Sequence, residues 1–295
     1  MIQYVKRKYL DEDKYNFCIE NSIQSKVYAF SWYLDIVADN WDVLVLNDYK
    51  AVMPIPWNKK FLLKYSLQPF FCQQLGVYSK EILDNEILMF FLKKIPKNIL
   101  YTNINLNQTI ESVSKLLYKK TNFILDLNQS HNFLFQKYRK DRKKSLKKAL
   151  KAELIYKNSK DLSSLITNYK KVFTYLKLSD KYYNIIEKVM DASLKNNTGF
   201  IREVYYKSEF VCSGFFLIFN NRIYYLFSAS SSLGKKHGAT TFLINSVIKE
   251  YSETNFIFDF EGSNIKSIAS FYKSFGSKTE NYFNYKTNAI QNFFI

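Results

Sequence analysis

Phe256-Ile257-Phe258-Asp259-Phe260-Glu261-Gly262-Ser263-Asn264 is the stretch on which the reading of this chain turns. Phe256, Phe258 and Phe260 alternate with Ile257, Asp259 and Glu261, the two-residue period of a strand. The pattern predicts a strand that carries two carboxylates, Asp259 and Glu261, on one face. Gly262 and Ser263 break it, and Asn264 stands where a helix N-cap is expected. Ile265, Ile268, Ala269, Tyr272 and Phe275 then recur at helical spacing, with Gly276 at the C-cap position. Acids at a strand-to-helix turn are how an α/β sheet builds a site at its strand ends. The same acids would serve equally as partners for nearby lysines on a half-buried strand.

Working back from this stretch, an amphipathic helix is predicted over 239–251, preceded by small polar residues at 228–238. Before these come three strands, 200–206, 210–219 and 222–228, turned at Lys207-Ser208 and Asn220-Asn221. Helices over 161–176 and 180–195 and a strand at 154–157 precede the meander. A helix over 131–152 holds nine basic residues and one acid between Lys137 and Lys151. Phe135, Tyr138, Arg142, Ser145 and Ala149 share one of its faces, so Arg142 interrupts an inward stripe. Arg142 reads either as a snorkelling side chain or as a clamp for an anion at the junction of two halves.

The first half alternates strands and helices: strands at 2–7, 41–46, 50–57, 62–67, 70–75, 98–106 and 122–127, and helices at 11–22, 31–38, 81–94 and near 109–118. The last strand is expected at 282–286, followed by an apolar tail at 289–295. The division predicted is 1–128 and 129–295, with the last residues packing back on the first domain. The fold class is α/β with mixed sheets.

The chain has 295 residues, 47% hydrophobic and 18% aromatic, enough for a large core. Its net charge of +17 favours anionic partners, whether coenzyme phosphates, tRNA or an acidic membrane surface. That signal is diluted by a bias of 38 Lys to 5 Arg. Two histidines exclude a multi-histidine metal site and argue against a Ser-His-Asp triad. P-loop and G-x-G-x-x-G motifs are absent from the sequence. Three separated cysteines form neither a disulfide framework nor a metal pattern, and no apolar run has the length of a membrane helix. A soluble, cytoplasmic protein is expected.

The order of meander, small-residue loop, helix, carboxylate strand, helix and strand resembles the acyl-CoA N-acyltransferase (GNAT) fold. In that family the loop before the helix cradles the coenzyme pyrophosphate on free amides, as a helix N-terminus can. Gly234-Lys235-Lys236-His237-Gly238-Ala239 keeps the small residues of the family loop but not their spacing. The resemblance assigns Ser228, Lys235, Lys236, His237, Gly238, Ala239, Thr240 and Asn264 to the donor. The run 264–276 is similar to the family signature Asn-x-x-Ala-x-x-Leu-Tyr-x-x-x-Gly-Phe, whose tyrosine protonates a leaving thiolate. Tyr272 holds the signature's distance from Gly276; Asn264 is one residue too far, and Ser277 replaces the aromatic.

Taken whole, the chain resembles Fem-type peptidyltransferases and their acetyltransferase-like bacterial relatives, built from two GNAT-like domains in tandem. The carriers are Tyr-Arg-Lys-Asp-Arg-Lys-Lys-Ser-Leu-Lys-Lys-Ala at 138–149, the meander at 210–228, and Phe258-Asp259-Phe260-Glu261-Gly262-Ser263 followed by Phe271-Tyr272-Lys273-Ser274-Phe275-Gly276. In the first half they are Trp32-Tyr33-Leu34-Asp35, Met53-Pro54-Ile55-Pro56 and 68–76. Nothing resembles the helical arm that some Fem enzymes insert for tRNA. The resemblance implies an acyl or aminoacyl transfer to an amine acceptor, such as a cell-envelope precursor. The co-substrate would be acyl-CoA or aminoacyl-tRNA, with no tightly bound cofactor and no metal. Asp259 or Glu261 would orient or deprotonate the amine and Tyr272 would assist the leaving group, with no protein nucleophile. Trp32, Tyr33, Gln68, Gln73, Gln74 and Arg142 would line the acceptor cleft. The alternative is a non-catalytic protein that binds polyanions or envelope precursors on a degenerate transferase scaffold.

Overall fold

The computed structural model describes residues 1–107, 115–172, 179–262 and 264–288. Ser263, the tail at 289–295, the end of the helix expected at 161–176 and most of the one near 109–118 lie outside them. The chain divides into two compact units, Met1–Lys120 with Asn281–Ile295, and Thr121–Glu280.

The first unit opens with β1 (Ile2–Lys6), α1 (Glu12–Glu20), α2 (Ser31–Val37), β2 (Trp41–Leu46) and β3 (Ala51–Pro56). It continues with β4 (Asn58–Lys60), β5 (Leu63–Leu67), β6 (Tyr78–Ser79), α3 (Asn85–Lys93) and β7 (Ile99–Asn105). Strands β1, β2, β3 and β6 form an antiparallel sheet in that order. Strand β5 pairs with β4 on one side and, in parallel, with β7 on the other. Met53, Ile55, Leu88, Phe91 and Ile104 centre its core. The strand expected at 70–75 is instead a turn: Pro69 withdraws a backbone donor, Phe71 takes a left-handed φ of +59°, and only Leu75 bridges to Leu106. Helix α3 starts later than the expected 81 because Asp84 supplies the cap, accepting the N–H of Ile87.

Strand β8 (Leu117–Asp126) carries the chain into the second unit and begins earlier than its sequence pattern. The elements that follow are α4 (His131–Gln136), α5 (Lys140–Lys151), β9 (Ile155–Ser159), α6 (Leu162–Val172) and α7 (Asp180–Lys195). Next come β10 (Gly199–Tyr206), β11 (Glu209–Phe219), β12 (Arg222–Ser230), α8 (Ser232–His237) and α9 (Ala239–Glu250). The series ends with β13 (Ile257–Asp259), α10 (Lys266–Lys273) and β14 (Lys278–Asn288), which returns the chain to the first unit and pairs with β7 there. The sheet order in the second unit is β8-β13-β12-β11-β10-β9, antiparallel except for β12 beside β13.

The expected helix over 131–152 is two helices. Arg139 is extended, and its N–H leaves the helical ladder for the carbonyl of Ser274. Strand alternation puts helices on both faces. A Cβ on Gly214 would strike Leu243 of α9, whereas one on Gly199 would strike Ser193 of α7. Phe216, Leu243, Val247, Phe258, Phe260 and Phe275 are wholly buried on the α9 and α10 side. Arg202 of β10 ties α9 down through Glu250, at 2.5 Å from Nη2.

Burial raises the pKa of Glu250, but hydrogen bonds from Arg202 and Tyr156 and the nearby positive charge outweigh it and hold the carboxyl below the usual range. A lowered carboxylate pKa stabilises the fold above the unfolded value of about 4.3 and loses that contribution as pH falls through the folded one. Arg202→Leu is therefore expected to flatten the acid limb of the stability-against-pH curve, followed by urea unfolding between pH 7 and 3. In the same assay Phe258→Ala should cost about 3–5 kcal/mol, since its ring is fully enclosed.

Candidate functional site

Strand β13 is short because its two neighbours pull apart. Its register with β12 covers Arg222↔Ile257, Ile223↔Phe258 and Tyr224↔Asp259, and β12 then continues with β11 as far as Ser230. On the other side the chain follows β8: Phe260 donates its N–H to the carbonyl of Phe123, and Gly262 lies so close that a Cβ would stand 2.6 Å from the Thr121 carbonyl. Gly262 also has φ +61°, a conformation that favours glycine. The two strands therefore separate past Tyr224 and Asp259. At the parting β12 carries a bulge: Tyr225 faces Phe216 and Phe227 faces Phe215, so Leu226 is the extra residue. A bulge frees a residue's backbone groups from the ladder.

Asp259 anchors the point of parting and is 0% exposed. Oδ2 accepts from Arg222 Nη1 at 2.7 Å; Oδ1 accepts from Asn122 Nδ2 at 2.9 Å and from the Glu261 N–H at 2.8 Å. Arg222 also donates to Glu280, at 2.9 Å from Nη1 and 2.8 Å from Nη2. Burial alone would lower the guanidinium's pKa, but its bonds to Glu280 and the charges around it outweigh that and raise it. The expected strand with two carboxylates on one face is thus altered. Asp259 is built into an ion-pair network, and Glu261 sits beyond the strand in irregular backbone at φ +63°. Phe258, Asp259 and Phe260 are all buried, so the strand is enclosed on both faces rather than half-buried.

Tyr272, on α10, sits against this parting. Its ring is 5.1 Å from Phe260, 6.3 Å from Phe123 and 6.3 Å edge-on from Tyr225. Burial raises its phenol pKa, and the charges of Glu261 and Asp259 add to the effect, so the hydroxyl holds its proton at neutral pH. Asp259, Glu261 and Tyr272 are therefore gathered, together with Ser228, whose hydroxyl shares a hydrogen bond with that of Tyr225.

The donor-side residues are arranged differently from the expectation. Residues 232–237 form a helix, not an open loop, because Ser231 caps it by accepting from the Gly234 N–H and Gly238 ends it at φ +75°. The amides of Lys235 and Gly238 are bonded inside this turn. Lys235 and Lys236 are exposed, and His237 stacks on Tyr206 at 4.4 Å. Ala239, Thr240 and Thr241 open α9, whose N-cap position, Gly238, has no side-chain cap. Asn264 does not cap α10: the N-cap position is Ile265, and Asn264 is exposed ahead of it. Arg142 has no strong carboxylate partner. It donates from Nε to Ser274 at 2.8 Å and from Nη1 to Thr241 at 2.5 Å, and it lies 4.3 Å from the centre of the Phe271 ring.

The remaining acceptor candidates lie in the first unit and bond among themselves. Gln68 donates to the Cys72 carbonyl at 2.7 Å and accepts the Asn105 N–H at 2.8 Å. Gln74 donates to Gln73 at 2.6 Å, and Tyr33 donates to the Phe71 carbonyl at 2.5 Å with Trp32 edge-on beside it. These groups hold the 68–74 turn. Sequence reasoning missed Arg222, Asn122, Glu280 and the Leu226 bulge; the scarcity of arginine was the signal available for the first. Among the described residues, no cluster of His, Cys, Asp and Glu could hold a metal, and no helix is long and apolar enough to cross a membrane.

Removing Arg222 would strand Asp259 as a buried uncompensated charge. Arg222→Met is expected to destabilise the second unit by about 3–5 kcal/mol. A double-mutant cycle with Asp259→Asn should return a coupling of at least about 1 kcal/mol in urea unfolding.

No protein-family model and no curated protein matches this sequence. Solved structures do. The chain is similar to FemX, with 11% identity, a TM-score of 0.67 and 99% of each chain covered. It is similar to a tandem GNAT protein from the clavulanic acid biosynthesis pathway, at 8% identity, a TM-score of 0.56, and 98% of this chain and 99% of that one. It is also similar to the C-terminal domain of a putative lysylphosphatidylglycerol synthetase from Agrobacterium fabrum, at 10% identity, a TM-score of 0.53, and 95% and 93% covered. Over nearly its whole length the chain has a tandem GNAT fold of the kind seen in FemX.

Proposed function

We propose that the protein is an acyltransferase that moves an acyl or aminoacyl group from an activated donor to an amine. The observation that carries this reading is the parting of β12 from β13 beside Tyr272. A bulge at Leu226 lies on the β12 side, and on the other side the chain that carries Glu261 follows β8. A donor's acyl carbonyl would lie against the freed backbone of the bulge, whose amide would stabilise the charge that develops on oxygen. Glu261 accepts the proton of the attacking amine, directly or through water. Asp259, with its oxygens committed to Arg222, Asn122 and the Glu261 amide, positions Glu261 rather than taking the proton itself. Tyr272 donates to the leaving oxygen or sulfur, a role that suits a phenol kept protonated.

Donor phosphates have exposed Lys235 and Lys236 and the uncapped start of α9 to approach. The exposed lysines at 137–151 extend the cationic surface and favour aminoacyl-tRNA over acyl-CoA as donor. The acceptor would be an amine, a cell-envelope precursor being the type that the likeness to FemX favours.

A transfer assay with labelled acetyl-CoA and with labelled aminoacyl-tRNA, each offered a pool of amine acceptors, tests this directly. Tyr272→Phe is expected to lower single-turnover transfer roughly 100-fold with little change in melting temperature. Glu261→Gln should lower it comparably. Full activity in both variants would overturn the assignment. Binding of either donor without turnover in the wild type would favour the non-catalytic alternative.

A further inference from the structure

The second unit holds another hollow, which shares no lining residue with the parting of β12 and β13. It has a volume of about 720 Å³ and lies among α4, α5, α9 and β9. That volume is in the range of small-molecule sites. Its walls are Phe135, Leu146, Leu150 and Phe242. Leu150 is 60% exposed although it lies one helical turn from Leu146, which is 4% exposed. The apolar wall therefore opens to solvent.

Of the two charged side chains that line it, Lys249 and Glu250, the carboxylate is held by a cation outside the lining. Glu250, a lining carboxylate, is already neutralised by Arg202 at 2.5 Å and accepts from Tyr156 at 2.7 Å. His131 and Asn245 are bonded to each other at 3.0 Å. Lys249 lines the hollow, and Lys143, which donates from Nζ to the Gln136 carbonyl at 2.8 Å, has that nitrogen 5.5 Å from the ring of the lining Phe135. An apolar trough with two ammonium groups beside it and its carboxylate already paired complements a molecule with an aliphatic body and an anionic head.

We propose that this hollow binds an anionic amphiphile, its chain along Phe135, Leu146, Leu150 and Phe242 and its head group between Lys143 and Lys249. The site is independent of the acyltransfer reading and would stand if that reading failed. Isothermal titration of the full chain with hexanoate, octanoate, decanoate, decyl phosphate and decyltrimethylammonium, all below their micelle concentrations, tests it. Affinity should rise about fourfold per added methylene until the trough is filled. Decyltrimethylammonium should bind at least about tenfold more weakly than decanoate, the attraction of two lysines being replaced by repulsion. Leu150→Asp and Lys249→Glu change exposed positions, so both should melt like the wild type while weakening decanoate several-fold. Decyl phosphate binding as well as decanoate would assign a general anion head; preference for decanoate would assign a carboxylate. Either result supports the site. Absence of binding, affinity independent of chain length, equal or tighter binding of the cation, or indifference to both substitutions would overturn it.

Discussion

The fork of Arg222 is the constraint on which the second unit depends. One guanidinium joins the first residue of β12 to the last residue of β13 and to Glu280 of β14, and Asn122 of β8 closes the set. A carboxylate that is 0% exposed cannot stay charged without such a partner. Once Asp259 is fixed there, β12 and β13 stay together as far as that residue. Beyond it each follows its other neighbour, β11 for one and β8 for the other. Glu261 is delivered next to the opening because its own N–H is held by Asp259. The network thus acts on the candidate chemistry by setting where the backbone divides.

A second stitch fixes the helices over the sheet. Arg142 of α5 donates to Thr241 at the start of α9 and to Ser274 at the end of α10, with Phe271 beneath its guanidinium. A cation at the C-terminus of α10 agrees with that helix's dipole. The break between α4 and α5 serves the same contact, since the Arg139 N–H bonds to the Ser274 carbonyl. Helix α5 also presses on Gly238, where a Cβ would come within 2.8 Å of the Ser145 hydroxyl and 2.9 Å of its carbonyl. Tyr272, two residues from Ser274, is therefore placed by packing that reaches from α5 through α10.

Much of this architecture was legible in the residues. Alternating phenylalanines marked β13, the Asn220-Asn221 turn set the β11–β12 register, and the element order gave the resemblance to a tandem GNAT fold. What failed did so for local reasons. Asn264 looked like a cap, but the first helical turn forms one residue later, and residues 228–238 looked like a loop because glycine and serine favour caps as much as coils. Asp259 could not be told from a free acid, because its partners are 37 and 137 residues away in sequence. One general signal lay unused. In a chain with 38 lysines, each of the five arginines makes at least two side-chain bonds: Arg7 to Glu12 and Asp35, Arg139 to Asp141, Arg142 to Thr241 and Ser274, Arg202 to Glu250, and Arg222 to Asp259 and Glu280. Where lysine is the default cation, arginine marks the places that need its planar fork.

The claim that most needs testing is that an acyl group enters where β12 and β13 part. A donor analogue with a diazirine in its acyl chain, photolysed on the intact protein and mapped by peptide mass spectrometry, reports this directly. The account predicts labels on residues 225–230 and on 260–262 or Tyr272. Labels confined to other parts of the chain, with these residues unmodified, would contradict it.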